Sequence, residues 1–178
     1  MSHFSCVVLV PRELENYPAI EAHIEKSLAL YDENLEVPPY DCVCKSSEQG
    51  GDDPECWCEG VGVLTYNPKS QWDWWVVGGR WDGWLQGDHR PGFNFGAEHH
   101  EVANNIIDAE TLKKLVHQGD KRLPFAAVDL GGGWNQRGEM GWFGTSSDEK
   151  GEGEWREQFV EMLDKAGQCW AVGCDLHI

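Results

Sequence analysis

Four cysteines stand in two close pairs, Cys42-x-Cys44 and Cys56-x-Cys58, with residues 45–55 between them. Four thiolates can fill the tetrahedral shell of a Zn²⁺ ion, and the intervening loop would close over it like a small knuckle. The stretch around them is polar and rich in Gly and Asp, with no core of its own, so a bound metal would supply the missing folding energy. Two disulfides or four idle thiols are the competing readings of the same spacing. With all four ligand positions taken by Cys, such a Zn²⁺ would be structural and leave no open position for a substrate.

A second constellation is rich in tryptophan. Trp72, Trp74, Trp75, Trp81 and Trp84 surround Asp73, Gly78, Gly79, Arg80 and Asp82. Aromatic faces stack on bases or sugars, and a guanidinium forks onto phosphate or carboxylate. Trp72, Trp74, Arg80 and Trp81 are thus candidate ligand-binding residues, with the two glycines allowing close backbone approach. The competing reading is a structural corner in which the indoles fill a core and Arg80 pairs with Asp73 or Asp82.

The third constellation joins the chain ends. If the last strand runs antiparallel beside the first, His3 meets His177 and Asp175 on one polar face. Two imidazoles and a carboxylate can do acid–base chemistry or hold a metal, which makes these three the candidate catalytic residues. His3-Phe-Ser5 has the H-x-S/T form of a two-histidine phosphodiesterase, although no second H-x-S/T follows His177. Two solvated histidines at fraying termini would look the same in sequence. Gly131–Gly133 lacks the Lys and Ser/Thr of a phosphate loop and reads as a turn. His99-His100-Glu101 is not a zinc-protease motif and reads as surface loop.

These residues need elements to position them. Residues 4–10 alternate as a strand, with Phe4, Cys6, Val8 and Val10 on one face. Asn16 is placed to cap a helix with Pro18 in its first turn, followed by the stripe Ile20, Ile24, Leu28 and Tyr31. Val61–Tyr66 reads as a strand, and a polar stretch with His89, His99 and His100 leads to a helix over about 109–118, with Asp108 at its start and Gly119 past its end. Phe125–Leu130 and Gly141–Gly144 are further strands. Trp155, Phe159, Met162, Leu163 and Ala166 mark a third helix stopped by Gly167, and residues 170–178 alternate again. The pattern predicts one α/β (α+β) domain over 1–178, a two-layer sandwich of ferredoxin-like character, with residues 40–60 as an inserted cysteine-rich metal-binding loop.

Composition sets the outer limits. The 178 residues carry 31 Asp and Glu against 14 Lys and Arg, a formal charge of −17. Such a field repels phosphate backbones and anionic lipid, so direct nucleic-acid or membrane binding is not expected. A small anionic ligand gripped by a few Arg residues, or a basic protein partner, is permitted. The N-terminus lacks the basic flank and long apolar core of a signal peptide, and no apolar run reaches the roughly 20 residues of a membrane span. Seven cysteines, an odd number, fit a reduced cytoplasmic chain better than a disulfide framework.

Several segments carry a resemblance. The opening Met1-Ser-His-Phe4, Tyr31-Asp-Glu-Asn34, Tyr66-Asn-Pro68 before Trp72-Asp-Trp74, Gly78-Gly-Arg-Trp81, Gly138-Glu-Met-Gly-Trp142 and the closing Asp175-Leu-His-Ile178 resemble a family of uncharacterised bacteriophage and prophage proteins. The cysteine insertion lies outside the resemblance. What it implies is a phage accessory protein, of the sort that acts against host defences inside the host cytoplasm. Three functions stay open: binding of a nucleotide-like ligand or host protein without turnover, a metal-independent hydrolase or phosphodiesterase using His3, His177 and Asp175, and an acidic protein-interaction inhibitor.

Overall fold

A computed structural model describes residues 2–46, 56–87, 101–141 and 144–178. The readings placed on His89, His99, His100 and the centre of Gly141–Gly144 lie outside the described residues, as does the middle of the 40–60 insertion.

The first and last strands form the centre of the main sheet. Strand β1 (His3–Pro11) pairs antiparallel with β10 (Cys169–His177) along its whole length, in a register that sets His3 opposite His177 and Ser5 opposite Asp175. On its other side β1 runs parallel to β6 (Ala126–Val128), which pairs antiparallel with β7 (Trp134–Gln136). The far edge of β10 is shared end to end. Strand β4 (Trp74–Val77) takes residues 174–177, and β5 (Ile106–Asp108) takes residues 170–172. The chain between β4 and β5 leaves the sheet at Gly173, whose carbonyl accepts from Gly78 and whose amide donates to the Asn105 carbonyl.

The helices cover both faces. Helix α1 (Tyr17–Leu28) is capped by Asn16, whose side chain accepts the Ala19 amide at 2.9 Å, a contact worth about 1 kcal/mol. Its Ile20, Ile24 and Leu28 pack with Phe4, Cys6, Val8 and Val10 on one side of the sheet. Helices α2 (Ala109–His117, capped by Asp108) and α3 (Glu152–Ala166) pack with Val7, Leu9, Ala127 and Ala171 on the other side. The expected two-layer, ferredoxin-like arrangement puts every helix on one face, and that is not what is found. The physical reason stands in β1 itself: Cys6-Val-Val-Leu-Val10 is an unbroken apolar run, as a strand buried on both faces requires.

The cysteine-bearing segment forms a separate unit. Strands β2 (Tyr40–Asp41) and β3 (Val63–Leu64) make their own two-stranded sheet, shorter than the strand expected over residues 61–66. A second small hairpin joins β8 (Glu139–Met140) to β9 (Ser146–Ser147). No helix among the described residues is long and apolar enough to cross a membrane.

Candidate functional site

The polar face of β1 and β10 does not end in frayed termini. Ser2 and Ile178 exchange both backbone hydrogen bonds at 3.1 Å, and the Ser2 hydroxyl donates to the Gly141 carbonyl while accepting the Gly144 amide. His3 and His177 are therefore fixed by sheet register, with ring centroids 4.9 Å apart and planes at 68°. Each ring is tied through Nδ1 to its own carboxylate. His3 Nδ1 lies 2.9 Å from Asp175 Oδ1, and His177 Nδ1 lies 2.5 Å from Asp73 Oδ1. A carboxylate at Nδ1 holds a proton there in the neutral ring, so Nε2 is left as the reactive nitrogen. No hydrogen bond to a described residue occupies either Nε2.

Asp175 is 1% exposed, and its second oxygen is satisfied by the Arg80 backbone N–H at 3.0 Å. This contact depends on Gly79, the first residue of a tight turn over Gly79–Trp81 that passes directly across the carboxylate. Gly79 has φ +55°, and a Cβ there would stand 2.5 Å from the Asp175 Cβ. Only glycine lets the backbone approach so closely. The structural-corner reading offers Arg80 either Asp73 or Asp82, but Asp73 is engaged elsewhere. It pairs with His177 instead, while Asp82 accepts from Asn105 Nδ2 at 2.8 Å. Arg80 is exposed.

The tryptophans divide by role. Trp72 is buried, and its indole N–H donates to the Leu28 carbonyl at 3.1 Å, so this residue anchors the chain that enters β4 to the end of α1. Tyr31 and Asn67 strengthen that anchor: Tyr31 donates to the Gly132 carbonyl, and Asn67 donates to the Leu30 and Asp32 carbonyls. Trp74 presents an edge to the His3 ring at 5.9 Å between centroids. Trp81 is half-buried beside Arg80. Two constellations that were separate in sequence thus meet in one place, with Trp74 and Arg80 bordering the histidine–aspartate cluster.

The second site is the cysteine knuckle. The four sulfurs of Cys42, Cys44, Cys56 and Cys58 all lie within 4.8 Å of one another, and among the described residues this is the one group of three or more ligand side chains so arranged. Cys42 and Cys56 are 3.4 Å apart, and Cys44 and Cys58 are 3.2 Å apart. Those distances exceed a disulfide bond and sit close to the roughly 3.8 Å between sulfurs on a tetrahedral zinc. Tight turns create the geometry: Lys45 donates its amide to the Cys42 carbonyl, Glu59 to that of Cys56 and Val61 to that of Cys58. Burial disfavours the Cys58 thiolate, but its contacts with Cys44 and the Gly62 amide outweigh this and bring the thiol down to about 7. The contact with Cys58, and then burial, push Cys44 up. The site can hold a metal ion such as zinc.

No protein-family model, curated protein or solved structure matches this chain. The chemistry of the two sites therefore carries the functional reading, not likeness of fold.

The pairing of His3 with His177 and Asp175 was readable from the alternation of the two terminal segments. Asp73 was not assigned to this cluster in the sequence reading. Its signal was present in hindsight as an acidic residue one position before a strand that pairs with β10, but that pairing joins residues about a hundred positions apart.

Proposed function

We propose that the histidine–aspartate cluster is a metal-independent acid–base site that cleaves a phosphodiester bond in a small nucleotide-like ligand. The observation that supports this most is the pair of imidazoles 4.9 Å apart, each with Nδ1 on a separate carboxylate. A ligand phosphate lying over the two rings would meet both Nε2 atoms. One histidine, neutral, takes a proton from the attacking water as its oxygen bonds to phosphorus. The other, charged, gives a proton to the leaving oxygen as the P–O bond breaks. The two histidines then exchange protons with solvent to restore the starting state. Such paired acid–base action is worth about 10²–10⁴ in rate. Arg80 neutralises charge on the phosphate, and Trp74 or Trp81 supplies a face for the base.

The exposed guanidinium of Arg80 favours a second reading, in which the same site binds the ligand without turnover. In either case the knuckle holds a structural Zn²⁺, and the chain acts as a phage accessory protein in the host cytoplasm. Phosphorus NMR on the zinc-loaded protein with cyclic mononucleotides and dinucleotides separates the two. The hydrolase reading expects at least one to be consumed, with His3→Ala and His177→Ala slowing it about 10²-fold or more while binding survives. Binding without consumption, lost in Arg80→Ala, selects the second reading.

A further inference from the structure

The knuckle has an outer surface that metal binding does not explain. In each Cys-x-Cys pair both thiols turn inward to the shared centre, so the residue between them is turned out. A polar residue would serve there, yet the chain places Val43 and Trp57, which are 83% and 87% exposed. Trp57 lies 6.4 Å from Tyr66 between ring centroids, and Tyr66 lies 6.0 Å from Tyr40, so three aromatic rings form a continuous row from the knuckle onto its small sheet. Val61, 72% exposed, belongs to the same unit. A tryptophan left this open forgoes the stabilisation that covering a large apolar side chain returns. Tryptophan is also the side chain most enriched among residues that dominate binding energy at interfaces.

The charge around the row decides what covers it. Among the described residues of the knuckle, Asp41 and Glu59 are exposed beside Lys45, within a chain of net charge −17. A second copy would bring the same charge against itself, and anionic lipid would be repelled. We infer that the knuckle docks on a basic protein surface, with Trp57 entering an apolar socket ringed by Lys or Arg. The inference rests on the exposure and charge of the knuckle and is independent of the hydrolase reading.

Three labelled synthetic peptides test it against the zinc-loaded protein by fluorescence anisotropy: one alternating Lys and Leu, one with Glu replacing Lys, and one with Gly replacing Leu. The Lys/Leu peptide is expected to bind, to lose more than about tenfold in affinity on Trp57→Ser, and to weaken as salt rises. The other two peptides are expected to bind at least tenfold more weakly. Metal content and thermal midpoint of Trp57→Ser, both expected unchanged, separate loss of docking from loss of the knuckle. Equal binding by Trp57→Ser, equal binding of the Glu/Leu peptide, or no binding of any peptide overturns the inference. So does concentration-dependent dimerisation, or uptake by phosphatidylcholine vesicles, that Trp57→Ser abolishes, since either gives the row a different occupant.

Discussion

The histidine–aspartate cluster and the cysteine knuckle are both built from side chains far apart in sequence, but they are held by different means. His3, His177 and Asp175 all stand on the central strand pair, whose two faces are buried under α1 on one side and α2 and α3 on the other. The backbone positions of the two histidines are set before any ligand arrives, because shifting either one means breaking the sheet register. The knuckle has a two-stranded sheet and a small apolar cluster consisting of the thiols themselves and Leu64, with Tyr40 and Cys56 against it. Too little apolar surface is buried there to fix a single conformation. Where a core already exists, the fold can spend buried carboxylates on orienting reactive groups. Where none exists, ligand bonds must take its place.

The largest effect should come from removing the metal. Structural zinc in small domains contributes about 10–16 kcal/mol of apparent binding energy. In chelator-treated protein, the amides of Cys42, Glu59 and Val61 should exchange at nearly unprotected rates, while those of β1 and β10 keep their protection. Cys44→Ser or Cys58→Ser should abolish stoichiometric zinc. Uniform loss of protection across the sheet would mean that the two regions are one cooperative unit.

Arg80→Ala sharpens the contrast at the other site. It should remove a charge-assisted contact worth roughly 1.5–3 kcal/mol, one to two decades in ligand affinity, without shifting the unfolding midpoint. An unchanged affinity would place Arg80 outside the ligand site. Gly79→Ala should do the opposite and act on the fold, at about 1–3 kcal/mol, because the added Cβ meets Asp175 and the residue is held at positive φ. Gly132→Ala, also at positive φ but with nothing within 4 Å of its Cβ, is the control and should cost less. Equal losses in denaturant titrations would show that Asp175 yields without strain.

Much of this was legible in the sequence because the signals are local. The Asn16 and Asp108 caps, the apolar stripes of α1 and α3 and the alternation at both chain ends each sit within one element. The cysteine spacing was legible for the same reason. The layer count was missed because Phe4, Cys6, Val8 and Val10 were read as the single buried face of β1, while Val7 and Leu9 between them bury a second face. The roles of Trp72 and Asp73 depend on pairings with Leu28 and His177, and no pattern within their own segment distinguishes a core indole from a ligand platform. Arg80 had two acidic candidates in sequence, Asp73 and Asp82, and only tertiary geometry gives Asp73 to His177.

A double-mutant cycle on turnover tests the acid–base account most directly. If His3 and His177 act as one proton-transferring pair, each alanine variant should lose about 10²-fold or more, and the double variant should lose little beyond either single one, as residues of one catalytic unit do. Losses that multiply, or turnover that survives both substitutions, would contradict the paired mechanism and leave the cluster as an oriented binding site.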